Sequence, residues 1–393
     1  MRSLLKWIPT LCLLVLSAVL RGQNDSLPEE QPESFHFRGY VKDLQTAAFS
    51  GERGSLLSSN LLHNRLNFKY DFSPAFSARL ELRNRLFWGE QVRLTPGFSS
   101  QVDYEKGWLD LSWVVVDRPS VVLHTIADRF SVNWQKGRWD IVLGRQRVNW
   151  GVATVWNPND LFNTYNFFDF DYEERPGSDA LRVRCSTGTL AGFDLAVSQG
   201  KDSASTIVAL AYRFNRRGYD FQVFGAWYRD DLALGAGWAG SIGEAGWKGE
   251  ATWFQPRSTF WDSTGLLSVT MESDYNFESG WYVAGAFLYT SGGSDDAAAL
   301  DRLPVRQLSA KTPMPFKYSV LGQVARQITP LLTANLSLVY CPGVHAFIIF
   351  PVLTYSVSDN WDANLVVQSF FAPEDGHFKN RGNALFFRLK WGF

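Results

Sequence analysis

The sequence predicts an all-β fold: a transmembrane antiparallel β-barrel of about 18 strands, within a range of roughly 16 to 20, with long extracellular loops. Three observations lead to this prediction. A short apolar run follows Arg2 and Lys6 at the N-terminus, apolar and polar residues alternate over 62–88, and the last strand stays regular up to Phe393. We take the elements in chain order.

The N-terminus has the pattern of a signal peptide. Arg2 and Lys6 precede the apolar residues 7–20, and small and polar residues follow. This run has about fourteen residues, whereas a membrane-spanning helix needs roughly 20. We therefore expect cleavage near Gly22. The chain then divides into a signal peptide, 1–22, a short periplasmic N-terminal segment, 23–34, and an outer-membrane barrel, 35–393.

Residues 62–88 show the clearest alternation. The apolar side chains of Leu66 and Phe68 alternate with the polar side chains of Arg65 and Lys69, and the pattern resumes after a Ser-Pro turn. Apolar residues at every second position fit two strands joined by a tight turn better than a helix. A soluble sandwich would show the same alternation, so another feature has to decide between the two.

The C-terminal segment favours the membrane barrel. Leu385, Phe387, Leu389, Trp391 and the terminal Phe393 share one face of a regular strand. Chain termini of soluble proteins usually fray. The segment resembles the last strand of outer-membrane proteins, in which a final aromatic residue serves barrel assembly. This resemblance implies the barrel assembly machinery as a partner.

The same alternation, bounded by turn residues, predicts eighteen strands. They cover residues 35–47, 60–72, 76–88, 123–135, 138–149, 180–187, 190–198, 205–214, 219–229, 232–240, 245–255, 264–277, 280–290, 316–328, 331–341, 344–357, 360–371 and 381–393. Short turns at one end and long connections at the other are the geometry of a bacterial barrel. Closure also removes the unpaired strand edges that hydrocarbon does not tolerate.

Three places depart from this scheme. Pro351 interrupts a strand whose two faces are both apolar, so we expect a bulge or a shifted register there. The apolar stretch within 104–123 is assigned to an extracellular hairpin; if it formed two barrel strands, the count would stay even but the long loops would change sides. Arg145 and Arg147 share the apolar face of their strand. A charge facing mid-membrane hydrocarbon costs roughly 2 to 4 kcal/mol, so this pair must lie above the membrane or follow a bulge.

The connection over 150–179 is long and rich in aromatic and acidic residues. A loop of about thirty residues with this composition is expected to pack against the barrel, and we assign it as a constriction in the barrel mouth. The residues assigned to it are Asn157, Pro158, Asp160, Asp169, Asp171, Glu173, Glu174 and Arg175. Its carboxylates either pair with nearby arginines and fix the loop, or contact solutes, and the two roles are compatible.

Motifs in residues 143–182 carry a family resemblance. The chain reads L-G-R-Q-R-V-N-W-G over 143–151, W-N-P-N-D-L-F-N over 156–163 and E-E-R-P-G over 173–177. With these motifs it resembles porin-like outer-membrane proteins of the Bacteroidota and, more distantly, barrels of the alginate-export type. Elsewhere the likeness is one of architecture. The resemblance implies a channel or transporter and no particular solute.

We assign the polar face of each strand to the lumen, and this assignment segregates charge. The basic residues assigned to the channel lining are Arg38, Lys42, Arg65, Lys69, Arg79, Arg83, Arg85, Arg182, Arg184, Arg388 and Lys390. The acidic ones are Glu250, Glu272 and Asp274. Walls of opposite sign orient dipolar solutes, and ordinary solvated lumen residues would give the same pattern.

Three functions from different classes are considered. The leading one is a porin-like channel for small hydrophilic or anionic solutes. The second is a plugged barrel that acts as an assembly or adhesion partner. The third is a barrel-embedded hydrolase, which needs a base beside a nucleophile. No recognisable nucleophile motif surrounds His36, His63, His124, His345 or His377, so we expect no enzyme.

Composition and motifs exclude further classes. The formal net charge of -1 gives no bulk attraction to nucleic acid. No zinc-type cluster, phosphate loop, nucleotide fingerprint or calcium loop occurs, so neither a cofactor nor a metal is expected. Cys185 and Cys341 fall on distant strands and are expected to be free thiols. The expected surroundings are outer-membrane lipid and lipopolysaccharide, and the pattern leaves the oligomeric state open.

Overall fold

A computed structural model describes residues 34–49, 56–103, 107–163, 174–300, 303, 308–374 and 376–393. The predicted signal peptide lies outside the described residues, as does nearly all of the segment 23–34. Asp169, Asp171 and Glu173 of the predicted constriction loop also lie outside them.

The described chain consists almost entirely of β-strands. They are β1 (Phe35–Phe49), β2 (Leu56–Ser73), β3 (Phe76–Trp88), β4 (Ser112–Arg118), β5 (Val121–Lys136), β6 (Trp139–Gln146), β7 (Ser178–Gly188), β8 (Ala191–Ser198), β9 (Ile207–Arg216), β10 (Tyr219–Tyr228), β11 (Asp231–Ile242), β12 (Ala245–Pro256), β13 (Leu266–Asn276), β14 (Trp281–Thr290), β15 (Tyr318–Thr329), β16 (Leu332–Cys341), β17 (Ala346–Ser358), β18 (Trp361–Glu374) and β19 (His377–Gly392). Two short helices, α1 (Glu90–Leu94) and α2 (Phe98–Val102), follow β3. No helix in this part of the chain is both long enough and apolar enough to cross a membrane.

Eighteen of these strands form one closed antiparallel ring. Each pairs with its neighbours along the chain, except that β3 pairs directly with β5. The ring closes between β1 and β19, where Lys42 lies opposite Lys390. The predicted fold class and strand number are therefore confirmed.

The remaining strand, β4, forms the predicted hairpin. It pairs with the first part of β5, with Arg118 opposite Val121 and Ser112 opposite Ile126. The rest of β5 pairs with β6, from Phe130 to Lys136. β4 therefore adds no strand to the ring. The connections before β4, after β6 and after β14 are long and meet one end of the barrel, which we call the loop end; the opposite end is the turn end.

The prediction of a bulge or register error at Pro351 is wrong. Leu336 lies opposite Pro351, and the pairing of β16 with β17 keeps one register along its whole length. On the other side the pairs Ile349–Ser369 and Val352–Val366 also share a register. The proline lacks an N–H group and so omits a single hydrogen bond without shifting the ladder.

Side chains alternate between two environments along the strands. On β8 to β12 the outward-facing Leu195, Leu210, Leu234 and Trp253 are between 38% and 66% exposed. Their inward-facing neighbours, such as Ala209, are buried. An apolar outer surface on a closed ring is what a bilayer requires, because hydrocarbon neither solvates polar side chains nor satisfies the unpaired edges of an open sheet.

Arg145 lies on that outward face without meeting lipid. Its guanidinium binds the carboxylate of Asp179, with 2.7 Å between Nε and Oδ1, and donates to the Leu109 carbonyl at 2.6 Å. The ladder keeps its register through Gly144, where a Cβ would lie 2.3 Å from the Phe130 carbonyl oxygen. The ion pair is therefore kept from hydrocarbon by the segment preceding β4, and no bulge is involved.

Candidate functional site

The connection after β6 folds into the barrel. Val148, Trp150 and Leu161 are almost fully buried, and Trp150 packs against Phe224 on the inner face of β10. The Trp150 indole donates to Asp194 on β8 at 3.0 Å, and Gln222 on β10 donates to the Trp150 carbonyl at 2.6 Å. We call residues 147–163 the inward loop.

Two carboxylates of the barrel wall hold the inward loop by its backbone. Glu250 on β12 accepts N–H groups from Ala153 at 2.7 Å and from Asn159 at 2.9 Å. Glu272 on β13 accepts from Thr154 at 2.6 Å and from Val155 at 2.8 Å. Irregular backbone needs partners for its N–H groups when it is buried, and charged acceptors are the strongest ones.

A close approach shapes the middle of the inward loop. A Cβ added at Gly151 would lie 2.0 Å from Oδ1 of Asn157, so only glycine fits there. Asn159 extends further into the wall, where its Nδ2 donates to the Ala236 carbonyl at 3.0 Å. Thr252 donates to the Pro158 carbonyl at 3.0 Å. The W-N-P-N-D motif thus supplies contacts between loop and wall.

The same connection continues at Glu174, and we call this part the returning arm. It contacts the opposite side of the lumen, where inward-facing basic residues of β19, β1, β2 and β3 form what we call the basic wall. Arg175 pairs with Asp160 and donates to Oδ1 of Asn149 at 2.9 Å, which ties the two arms together. Glu174 pairs with Arg65 on β2. The described parts of this connection therefore contact β12 and β13 on one side of the lumen and β2 on the other.

Arg65 is the centre of an ion network inside the barrel. Its guanidinium binds Asp128 at 2.6 Å and Glu81 at 2.5 Å in addition to Glu174. Asp128 is the extra residue of β5 where the pairing with β3 shifts between Glu81 and Leu82. The β-bulge turns this carboxylate inward. Sequence alternation alone could not place Asp128, because a bulge reverses the faces beyond it.

Burial also changes the acidity of the connecting arms. Loss of hydration raises the pKa of the Asp160 carboxyl to about 6, and Arg175 and Arg147 only partly oppose this. Burial likewise raises the pKa of Glu174. Burial and the neighbouring Arg175 lower the pKa of Arg147. The loop therefore carries carboxyl groups that are protonated more readily than exposed ones.

The strand register puts every predicted lining residue at an inward-facing position, but their exposure differs. The exposed ones are Arg38, Arg79 and Arg184. The partly buried ones are Lys69, Arg85, Arg388, Lys390 and Asp274. The buried ones are Lys42, Arg65, Arg83, Arg182, Glu250 and Glu272.

A second connection also folds inward, and the sequence analysis did not identify it. Leu300, Leu303, Met314 and Phe316 of the connection after β14 are buried in one cluster with Trp156 of the inward loop. Lys311 binds Asp231 on β11 at 2.7 Å. The sequence does contain a sign of this inward fold: apolar residues occur within a long polar connection. A solvated loop would not need such apolar residues.

One histidine cluster at the loop end resembles a catalytic site in composition only. Nε2 of His124 lies 2.7 Å from the Ser112 hydroxyl and 3.2 Å from Asp103, while Nδ1 lies 3.1 Å from an Arg85 nitrogen. Arginine can only donate, so Nδ1 is the acceptor and Nε2 carries the proton in the neutral ring. That tautomer cannot take a proton from Ser112.

Neither a metal centre nor a disulfide occurs among the described residues. No group of three or more His, Cys, Asp or Glu side chains is placed to hold an ion in that part of the chain. Cys185 and Cys341 are free thiols in the structure.

Comparisons with known proteins identify the fold. No protein-family model and no curated protein matches the sequence. OccAB4 of Acinetobacter baumannii matches with a TM-score of 0.60 at 8% identity, over 92% of this chain and 99% of that one. OccK5 (OpdH) of Pseudomonas aeruginosa matches with a TM-score of 0.57 at 8% identity, over 91% and 98%. OprD of Pseudomonas aeruginosa matches with a TM-score of 0.57 at 7% identity, over 94% and 99%.

These matched structures are outer-membrane porins. The chain therefore has the fold of an outer-membrane barrel, as its apolar outer surface also indicates. The porin-like architecture inferred from the sequence is supported, whereas the likeness to Bacteroidota proteins and alginate-export barrels is not confirmed.

Proposed function

We propose that this outer-membrane barrel is a porin-like channel for small hydrophilic solutes, with a preference for anions. The observation that carries the proposal is the set of exposed cations on the inner wall near the turn end. Arg38 and Arg79 are exposed at inward-facing positions of a closed ring. Charged side chains line a barrel interior where water and solutes pass.

The distribution of acids supports the anion preference. Glu250 and Glu272 are occupied by backbone N–H groups of the inward loop, and Asp194 by Arg182 and Arg213. The basic wall of β19, β1, β2 and β3 keeps exposed cations, offset mainly by Asp71 and Glu81. A charge is screened over about 8 Å at physiological salt, so a solute beside this wall responds mainly to it.

The inward loop is proposed as the constriction of the channel. The inward loop is fixed to the wall at the middle of β12 and β13. The returning arm of the same connection reaches Arg65 on β2. Of the residues assigned to the constriction, Pro158 and Glu174 bond to the wall, Asp160 and Arg175 bond to each other, and Asn157 packs against Gly151. We propose that they hold the constriction in place. Asp169, Asp171 and Glu173 remain assigned to the same constriction.

The two inward connections also favour a second candidate, the plugged barrel. Trp150, Trp156 and Phe316 fill space inside the ring. A barrel filled in this way could serve assembly or adhesion in place of passage. The histidine geometry and the porin fold argue against the hydrolase, and we propose no enzymatic role.

Single-channel recording of purified protein in planar bilayers separates channel from plug. We expect discrete conductance steps for the unmodified barrel. Replacing residues 152–173 by a short Gly-Ser linker should increase the step size, because it removes the constriction. Shortening the outer connection 257–265 is the matched control and should leave the steps unchanged. Steps that occur only in the 152–173 variant would establish the plugged barrel and contradict the channel.

A further inference from the structure

A groove of about 800 Å³ lies on the outward surface of β8 to β12. Leu210, Trp227, Leu234 and Trp253 form its walls, and Phe260 of the connection after β12 borders it at the loop end. Pockets that bind small molecules have volumes of about 300 to 1,000 Å³ and are mostly apolar. This groove therefore has the size and lining of a ligand site, but it faces lipid.

Gly225 leaves the space that makes the groove. It lies opposite Leu210 on β9 and Leu234 on β11, at a position where a large apolar side chain would fill the outward face. A Cβ added there would lie 3.6 Å from Cδ2 of Leu234, which is an ordinary contact. The backbone therefore does not require glycine at this position, and the missing side chain has its effect on the outer surface.

A cation borders the groove at the loop end. The guanidinium of Arg257 lies 3.6 Å from the centre of the Trp227 ring. Its backbone N–H donates to the Asp230 carbonyl at 3.0 Å, which fixes the start of the connection. A second concavity of about 620 Å³ joins the groove at Val208 and Trp227, and its polar lining residues are Thr206, Asp230 and Arg257. The groove is therefore apolar towards mid-membrane, and at the loop end it adjoins a concavity lined by both Arg257 and Asp230.

In a membrane, lipid hydrocarbon has to fill this groove. The polar groups at the loop end of the groove then determine which lipid binds best. Long loops of bacterial barrels are extracellular, so the loop end lies in the outer leaflet. Lipopolysaccharide, the lipid of that leaflet, combines acyl chains with phosphate groups. We propose that the groove binds an acyl chain of one lipopolysaccharide molecule, with a headgroup phosphate at Arg257. The Arg257 guanidinium, which can donate charge-assisted hydrogen bonds to a phosphate, favours this occupant over a second copy of the chain.

The test uses the full barrel in nanodiscs of phosphatidylcholine with added lipopolysaccharide, followed by native mass spectrometry. Gly225→Leu fills the groove and Arg257→Gln removes the cation. Gly322→Leu is the control for the first, because Gly322 is also outward-facing and a Cβ there meets nothing within 4 Å. Arg326→Gln is the control for the second, because Arg326 stacks 4.9 Å from the Trp281 ring at the turn end.

We expect the unmodified barrel to retain one lipopolysaccharide molecule. Gly225→Leu should weaken retention by at least about tenfold, because several methylene contacts are lost. Arg257→Gln should weaken it by about fivefold, the effect of one cation at a charged lipid surface, and only for the phosphorylated lipid. Both controls should behave as the unmodified barrel.

Equal retention by Gly225→Leu and the unmodified barrel would overturn the proposal. So would a loss in Gly322→Leu as large as that in Gly225→Leu, because it would reveal a general effect on the outer surface. A dimer that Gly225→Leu dissociates, with lipid retention unchanged, would assign the groove to a second copy instead. Heat-modifiable migration on gels confirms that each variant is folded before it is measured.

Discussion

Asp160 carries a buried charge at the point where the inward loop meets the returning arm of the same connection. The carboxylate is fully buried and pairs with Arg175, and Arg147 adds a second positive charge nearby. Burial nevertheless raises its pKa to about 6. The cost of removing the charge from water therefore exceeds the gain from the two arginines at this position.

This shift predicts a pH dependence of stability. An aspartate of an unfolded chain titrates near pH 3.9, so between that value and about pH 6 the folded protein binds the extra proton. The free energy of unfolding should fall as pH rises through this window, by up to about 3 kcal/mol at 1.36 kcal/mol per pKa unit. Urea unfolding of the barrel in lipid vesicles from pH 4 to pH 8, followed by tryptophan fluorescence, measures the slope.

Asp160→Asn removes the titrating group and keeps the size of the side chain. We expect the variant to show a flatter pH profile than the unmodified barrel, whatever its absolute stability. Parallel profiles for the two proteins would show that another carboxyl group, such as Glu174, sets the dependence.

At the scale of elements, the inward loop depends on two carboxylates rather than on secondary structure. A hydrogen bond to a charged group contributes about 1.5 to 3 kcal/mol, compared with about 0.5 to 1.5 kcal/mol for a neutral one. The double variant Glu250→Gln/Glu272→Gln should therefore loosen the loop while the barrel stays closed. Amide hydrogen exchange over 152–159 should become at least about tenfold faster.

Glu244→Gln is the matched control for this experiment. Glu244 accepts a hydrogen bond from the Tyr275 hydroxyl at 3.0 Å at the exposed turn end. Its replacement should leave exchange over 152–159 unchanged. Unchanged exchange in the double variant as well would show that the packing of Trp150 and Leu161, and not the carboxylates, holds the loop.

The strands and the inward loop differ in how far they could be predicted from the sequence. Alternation is a local property, so the strands and the inward face of Glu250 could be predicted from it. The partner of Glu250 could not, because the path of the connection across the lumen depends on tertiary packing. For the same reason the acidic residues were expected to face solutes, whereas the structure places backbone N–H groups of the loop against Glu250 and Glu272.

The last residue of the chain takes part in the closure of the whole ring. Backbone groups of Gly39 and Phe393 exchange two hydrogen bonds, at 2.8 Å and 2.9 Å. The Phe393 ring packs against Phe37 at 5.7 Å and Trp391 at 5.0 Å, and a Cβ at Gly39 would lie 2.7 Å from it. The regular C-terminal strand of the sequence analysis is thus the strand that closes the ring against β1.

Phe393→Asp should lower the amount of folded barrel in the outer membrane several-fold, because unclosed intermediates are degraded. The measurement is heat-modifiable migration of the protein in isolated outer membranes. Phe378→Asp is the control, because this exposed aromatic residue of the same strand lies at the loop end. An equal decrease of folded barrel in both variants would mean that any charge introduced on β19 impairs assembly. The C-terminal residue would then have no specific role in assembly.

The fold of the whole molecule was accessible from the sequence because strand number, turn length and closure all follow from local patterns. Selectivity was less accessible. Arg65 and Arg83 were predicted to line the channel, as Arg79 was, but both are buried, and Arg65 is bound to three carboxylates. Arg38 and Arg79 are the exposed cations on that wall, so they provide the sharper test of ion preference.

The proposed anion preference can be measured as the reversal potential in a salt gradient across a planar bilayer. We expect the unmodified channel to prefer anions weakly, and the double variant Arg38→Gln/Arg79→Gln to lose or reverse that preference. Arg326→Gln removes an outward-facing cation and should have no effect. Cation preference in the unmodified protein, unchanged by the Arg38→Gln/Arg79→Gln substitutions, would contradict the account and show that the acidic connection over 150–179 sets selectivity.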